Sequence, residues 1–362
     1  MATLTCVPEL PDVALYVEHL AARLCGQRLE RVRLKSPFVL RSVDPPLSAT
    51  HGRRVTGVER LGKRIVIALD GDLFIVIHLM IAGRLRWREP GAALPGKLGL
   101  LAFDFPNGSV LFTEASPKKR ASVHVVRGRQ ELAAHHRGGI EPLEASFEAF
   151  RAALQRENHT LKRALTDPRI FSGIGNAYSD EILHRARSSP VALTQKLTDA
   201  QIGALYAACQ STLREWIERL RQSAGDAFPE KVTAFHEQMA VHGRFGKPCP
   251  ICSTPVQRIR YAENEVNYCP SCQTNGRLLA DRSLSRLLKS DWPKSLEELE
   301  ERRREQALPA ESGAARAVKS AAKKSTATPR SRRASPVVPE TAPKASGAPP
   351  NAERRRNRQK MR

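Results

Sequence analysis

Val13, Val17, Leu20 and Leu24 recur every three or four residues and Gly26 follows as a stop, which predicts an amphipathic helix over residues 11–25. Beyond Leu29 the period shortens. Apolar blocks at Val32 to Leu34, Ile65 to Leu69, Leu73 to Leu79, Leu98 to Phe105 and Val110 to Thr113 predict strands, with Asn107-Gly108 as a hairpin signal between the last two. The first third is therefore expected to be a mostly antiparallel sandwich or barrel behind a leading helix. From Ser146 the spacing turns helical again, over residues 146–156, 158–166, 177–186 and 199–222. Asp167-Pro168 ends the second of these, and Gly173-Ile174-Gly175-Asn176 makes a tight turn into the third. A connection over 223–245 leads to a cysteine-rich stretch, and residues 277–306 read as helical and charged. From about 307 to 362 the chain is Ala, Pro, Ser, Lys and Arg with almost no aromatics, the composition of a disordered basic tail.

Charge narrows the partners. The chain of 362 residues has 59 Lys and Arg against 37 Asp and Glu, a net charge of +22. Seventeen of those cations and only 5 of the acids lie between residues 301 and 362, so both the tail and the remainder are basic. Such an excess predicts a polyanion as partner, nucleic acid before an anionic membrane surface. No apolar run approaches the length of a membrane helix, and the first residues lack the features of a secretory signal. Of 7 cysteines, four form two CxxC pairs, while Cys6, Cys25 and Cys209 are scattered. This pattern reads as a reduced, cytosolic metal protein, not a disulfide framework.

Cys249-x2-Cys252 and Cys269-x2-Cys272 form a four-thiolate zinc pattern. Each pair turns tightly enough to present two sulfurs to one tetrahedral ion, and a full thiolate set marks a structural site with no open position. Zinc ribbons of this kind bind RNA, protein or DNA, so the substrate stays open. Gly173-Ile174-Gly175-Asn176 opening a helix is either an ordinary entry turn or an anion site, with free N–H groups and the helix dipole facing the ligand. Lys63 falls in a turn between two strands, Lys118-Lys119-Arg120 in a basic loop, and His78 in an apolar run where a core histidine is expected. Pro8-Glu9-Leu10-Pro11 precedes the first helix. Proline opens helices readily, but a chain beginning at Pro8 would also carry a secondary amine able to attack a sugar aldehyde carbon, with Glu9 within reach as acid or base. Valine shares a codon with an alternative start, so two readings stay open: initiation at Met1, which leaves the Pro8 nitrogen an amide, and initiation at Val7, which would leave Pro8 first.

In order along residues 8–275, Pro8-Glu9-Leu10-Pro11, Ile77-His78-Leu79 followed by Gly83, Asn107-Gly108, Gly173-Ile174-Gly175-Asn176 and the two CxxC pairs sixteen residues apart resemble the formamidopyrimidine-DNA glycosylase/endonuclease VIII family, as a divergent subgroup. The resemblance implies an α+β multidomain fold: a β-sandwich with a leading helix (residues 8–135), a helix–two-turns–helix domain (140–240), a zinc ribbon (241–276), a helical extension (277–306) and the basic tail (307–362). It implies base-excision repair of double-stranded DNA by a monomer associated with the nucleoid in the cytoplasm. Lesions would be oxidised bases or abasic sites, flipped out of the helix. One structural zinc would be held by Cys249, Cys252, Cys269 and Cys272. Pro8 would be the Schiff-base nucleophile, Glu9 the proton donor and acceptor near the ribose, and Lys63 the lysine assisting elimination. Asn176 and Lys162 would hold phosphates beside the lesion. The family's methionine and Arg-Arg-Phe wedge correspond here to Ile81 and Lys118-Lys119-Arg120. Its zinc-hairpin arginine corresponds to Asn264, which leaves Arg258 and Arg260 to reach phosphate. Two other readings compete: a damaged-DNA-binding relative without catalysis, and a zinc-ribbon RNA-binding protein.

Overall fold

A computed structural model describes residues 7–116, 118–230, 236–261, 264–279 and 293–307. Helix α1 (Leu10–Leu24) opens where Asp12 Oδ2 accepts the peptide N–H of Glu9 at 2.8 Å. Pro11 costs nothing in this first turn, because the N–H it lacks would have no helical partner. The helix serves two cores at once. Val13, Tyr16, Leu20 and Leu24 enter one, while Leu10 enters another.

The first core lies between two antiparallel four-stranded sheets. One runs β1 (Arg31–Leu34), β6 (Gly99–Phe105), β7 (Gly108–Glu114), β5 (Gly83–Arg88); the other runs β2 (Val55–Leu61), β3 (Arg64–Leu69), β4 (Leu73–His78), β8 (Ser122–Arg127). Ile65, Ile67, Ile75, Ile77, Val123 and Val125 meet Leu101, Phe103, Phe105, Val110 and Phe112 across the gap, the layered arrangement of a β-sandwich. The opposite face of the second sheet is covered as well. Val66, Ala68, Phe74, Val76 and Val126 pack with Leu132 of helix α2 (Gly128–Ala133). Burial on both faces is why β3 and β4 read as continuous apolar runs. The hairpin from β6 to β7 turns through Pro106 and Asn107, not Asn107-Gly108, since Phe105 pairs with Gly108. Gly108 is required by the Trp87 ring, which fills the space where its Cβ would stand.

The second core is helical. α3 (Phe147–Gln155) is capped by Ser146, whose Oγ accepts from Ala149 N at 3.2 Å. α4 (Leu161–Thr166), α5 (Asn176–Arg185) and the long α6 (Asp199–Ala224) surround Phe150, Leu165, Phe171, Tyr178, Leu205 and Trp216. The expected helix over 158–166 starts three residues late because Thr160 is its extended N-cap. β9 (Gln257–Tyr261) and β10 (Asn264–Tyr268) make the antiparallel ribbon, followed by α7 (Pro270–Thr274). The helical reading of 277–306 is corrected in its first part: Arg277 bridges Ser295 in antiparallel fashion, and only α8 (Leu296–Ala307) is helical among the described residues. The segment 280–292 and the expected tail beyond 307 lie outside the described residues. Among the described residues no helix is long and apolar enough to cross a membrane.

Candidate active site

Glu9 is the pivot of the interface between the two cores. It is 1% exposed, and its carboxylate accepts three peptide N–H groups from the start of α5: Gly175 at 2.6 Å, Ala177 at 2.8 Å and Tyr178 at 3.2 Å. These N–H groups have no partner inside the helix, and the helix dipole adds to their pull on an anion. The turn that the sequence marked as a possible anion site therefore holds an anion of the protein itself. A Cβ on Gly175 would fall within contact distance of both the Glu9 carboxylate and Lys63 Nζ. Gly173, at φ +79°, gives its carbonyl to Leu10 N at 2.9 Å and lies too close to Leu10 for a side chain.

Lys63 arrives from the sandwich in the two-residue turn Gly62-Lys63, since Leu61 pairs with Arg64. Arg60 Nη1 donates to Gly62 O at 2.9 Å and so holds the turn. The same guanidinium pairs with Glu141, whose other oxygen accepts from Ser172 Oγ at 2.5 Å. This chain of contacts ties the Lys63 turn to the loop before α5. Asp12 sits beneath, fully buried, with Oδ1 lacking any hydrogen-bond partner. Burial raises its carboxyl to about 7, helped by the nearby charge of Glu9 and opposed by its bond to Glu9 N, Arg84 and Lys63. Pro8 is buried next to Glu9.

His78, expected in the core, instead ends β4 on the wall of a cavity of about 560 Å³ that it shares with Lys63. The reason is its parity: it pairs with Arg64 on the face of the sheet turned away from the sandwich core. Burial, then Arg64, Lys63 and Arg137, lower its imidazole to about 3.

Lys162 differs most from expectation. It is 9% exposed, and its ammonium donates to Asn176 O at 2.6 Å and Asp180 Oδ1 at 2.5 Å. Two of its three donors are spent inside the protein, so it fixes the start of α5 instead of lying open to a phosphate. Asp180 also takes His242 Nδ1 at 2.8 Å and Asn267 N at 3.1 Å. Burial alone would raise Asp180; Lys162 and His242 outweigh it and hold the carboxyl below the usual range. Asn176 is half-buried at the first turn of α5. In the basic loop Lys119 donates to Glu114 O at 2.6 Å, while Lys118 and Arg120 are exposed.

α5 also reaches the ribbon. Glu181 accepts the peptide N–H groups of Ala240, Val241 and His242, and His184 Nε2 lies 3.2 Å from Cys249 Sγ. Neither contact was anticipated: acids and a histidine on a helix carry no sequence signal for partners 60 residues away. Cys249, Cys252, Cys269 and Cys272 converge with all sulfurs within 4.8 Å of one another. The separations of 3.3 Å (Cys252 to Cys269), 3.4 Å (Cys252 to Cys272) and 3.9 Å (Cys249 to Cys272) suit the edges of a tetrahedron with metal–sulfur bonds of about 2.3 Å. The donor set fits one structural zinc and leaves no coordination position open. Arg258 stacks on Phe245 at 4.3 Å and faces Glu265, whereas Arg260 is exposed.

Comparison with known proteins gives one family for three successive parts of the chain between residues 7 and 275. Residues 7–125 match the formamidopyrimidine-DNA glycosylase N-terminal domain, residues 139–226 the H2TH domain of the same enzymes, and residues 246–275 the zinc finger found in FPG and IleRS. The formamidopyrimidine-DNA glycosylase of Solibacter usitatus is 33% identical over 278 residues, covering 74% of this chain and 99% of that protein. That of Thermus thermophilus is 33% identical over 278 residues, 75% of this chain and 100% of the relative. The crystal structure of the Thermus protein aligns with a TM-score of 0.63 over 74% of this chain and 98% of that one, at 32% identity. The Lactococcus lactis Fpg in complex with DNA containing an abasic site shares the fold, with a TM-score of 0.66 at 24% identity over 74% of this chain and 99% of that one.

Proposed function

Because the chain belongs to the formamidopyrimidine-DNA glycosylase family, we propose that it is a base-excision repair glycosylase with abasic-site lyase activity, removing oxidised bases from double-stranded DNA. The observation that carries this reading is the convergence of Glu9, Lys63 and the start of α5 on Gly175, beside a cavity lined by cations.

In this proposal the nitrogen of Pro8 attacks C1′ of a flipped-out nucleotide. The N–C1′ bond forms as the glycosidic bond breaks, and the base leaves with its electron pair. Opening of the sugar ring, with a proton delivered to O4′, yields an iminium. Loss of a C2′ proton then expels the 3′ phosphate. Glu9 adjoins Pro8 and is held rigidly by three peptide N–H groups, which suits it to the proton transfers at the sugar. Lys63, whose Nζ shares the space beside Gly175 with the Glu9 carboxylate, assists the elimination. The nucleophile is a secondary amine only where Pro8 is the first residue of the mature chain.

Asn176, Lys118, Lys119, Arg120, Arg258 and Arg260 are assigned to the DNA backbone. Lys162 is given an indirect part, holding Asn176 in place. The zinc ribbon acts as a folded platform, its ion held by the four cysteines. We place the protein at the nucleoid, in the cytoplasm, as a monomer.

The test is covalent trapping. A version of the protein beginning at Pro8 is incubated with a duplex bearing an abasic site and reduced with borohydride. Trapping that disappears when the Pro8 nitrogen is acetylated, and so made an amide, supports the assignment. Equal trapping by the acetylated protein moves the nucleophile to a lysine, and binding without any trapping favours the non-catalytic relative.

A further inference from the structure

Three consecutive cations, Lys118-Lys119-Arg120, lie on the connection 115–121 between β7 and β8. Among its described residues only Ala121 is buried, and its charges repel one another. Left to itself such a segment would stay open and moving, because it has little to bury in return for becoming ordered.

Glu114 closes it. This residue ends β7 opposite Gly83 of β5 and is 1% exposed. Its Oε1 accepts Arg120 N at 2.9 Å and Ala121 N at 3.3 Å, and its own carbonyl accepts the Lys119 ammonium at 2.6 Å. The far end of the loop is thereby fastened to its beginning. Ser116 Oγ accepts Lys118 N at 3.2 Å within it. Lys119 takes a left-handed φ of +43°, a shape that a lysine keeps only where its surroundings impose it. The start of the loop is fixed in turn to the segment that carries Ile81. Glu114 N donates to Leu98 O at 2.9 Å, Ala115 N to Ala82 O at 3.3 Å, and Gly83 N to Leu79 O at 2.9 Å. All of this stands at the end of the sandwich that also bears the Lys63 turn, since Ser122 pairs with His78 and His78 with Arg64.

Stability alone does not account for the acid. Glu114 Oε2 is buried without a hydrogen-bond partner among the described residues, which is costly for a carboxylate. An apolar side chain at this strand end would avoid that cost but could not take the two N–H groups. Resting on the glycosylase reading above, we propose that Glu114 is a positioning residue: it holds the loop 115–121, before DNA arrives, in the shape that meets the duplex beside Ile81. Lys118 and Arg120, both exposed, are then presented to the gap left by the flipped nucleotide. A loop already ordered loses less freedom on binding. The damaged duplex gains most from this, because its poorly paired nucleotide leaves the stack most readily.

The experiment uses the full chain and a duplex in which the fluorescent base 2-aminopurine lies opposite a stable abasic analogue. Its emission reads how the unpaired base is stacked. The unaltered protein, Glu114→Ala and Glu114→Gln are compared for that emission and for affinity to this duplex and to an undamaged one. Glu114→Ala should lose the emission change and bind the abasic duplex roughly tenfold more weakly. Its affinity for undamaged DNA and its salt slope should match those of the unaltered protein, since no cation is removed. Glu114→Gln keeps an acceptor oxygen and should recover most of both losses. Unaltered behaviour in Glu114→Ala, equal losses on the two duplexes, or a Glu114→Gln as weak as Glu114→Ala would each overturn the proposal. Should Glu114→Ala fail to fold, hydrogen exchange in the unaltered protein without DNA decides the matter. Arg120 and Ala121 amides slowed about 100-fold relative to open chain support a preformed loop, and exchange at the open-chain rate overturns it. Protected amides in an unaltered protein that binds neither duplex would instead overturn the glycosylase reading.

Discussion

Glu9 and Gly175, 166 residues apart in sequence, are joined so closely that the glycine cannot carry a side chain: its N–H donates to the Glu9 carboxylate at 2.6 Å, and a Cβ would press on that carboxylate. The two domains thus meet at a carboxylate supplied by one and a helix start supplied by the other.

Gly175→Ala should separate Glu9 from Lys63 while leaving both cores packed. Displacement of either group by about 1 Å at a reacting centre costs on the order of 10²-fold. Borohydride trapping on abasic DNA should fall by about that factor, with the melting temperature lowered only slightly. Wild-type trapping by this variant would show that the convergence at Gly175 is not needed for the chemistry.

Glu9→Gln preserves the size of the side chain and an acceptor for the α5 N–H groups but removes its proton chemistry. Release of an oxidised base should slow by about 10² to 10⁴. A single-turnover assay on a duplex with one oxidised base reads this directly, and an unchanged rate would remove Glu9 from the mechanism.

Asp12 gives a pH signature. Its carboxyl is raised to about 7 in the folded protein from an ordinary value of 3.8. Between those values the folded state binds more protons than the unfolded one, so this residue's contribution to stability falls as pH rises from about 4 to 7 and levels off above. Asp12→Asn should remove the decline, and urea melts at pH 5 and pH 8 would reveal it as a smaller difference than in the parent. A parent-like difference would mean that Asp12 does not titrate there.

Lys162→Met leaves Asp180 buried without its cation. Breaking a buried pair in this way costs about 3–5 kcal/mol of stability, and Lys162→Met/Asp180→Leu should recover part of it. Urea unfolding measures both. Full stability in Lys162→Met, with a DNA salt slope reduced by about 1, would restore Lys162 as a direct phosphate contact.

Removing the zinc should act on α5, because His184 touches Cys249 and Glu181 holds residues 240–242. Cys252→Ser or a chelator should release one zinc per chain, lower the melting temperature of the helical part and weaken DNA binding. The sandwich, whose core includes none of these residues, should melt as before. DNA affinity unchanged after metal loss would make the ribbon dispensable for binding.

Local pattern made much of the architecture legible. The leading helix and α6 announce themselves because each buries a regular face, β3 and β4 because burial on both faces makes them continuous apolar runs, and the CxxC pairs state their metal because two thiolates at that spacing can meet one ion only in a tight turn. β5 and β8 were not anticipated, and β2 only as a strand of unstated extent before Lys63: its sequence, Val-Thr-Gly-Val-Glu-Arg-Leu, mixes polar and apolar residues because much of that strand is only half-buried.

What the sequence determined by itself is the inventory of the site: an acid after Pro8, a lysine in a hairpin turn, a glycine-rich helix start and four cysteines. Tertiary structure alone decided what each group faces. It turned the anion site of α5 toward Glu9, spent Lys162 on Asp180 and moved His78 from core to cleft. Spacing along a chain fixes which face of an element a residue shares, whereas partners, burial and proton affinity depend on groups brought together from far apart. None of these has a period that a single sequence can display.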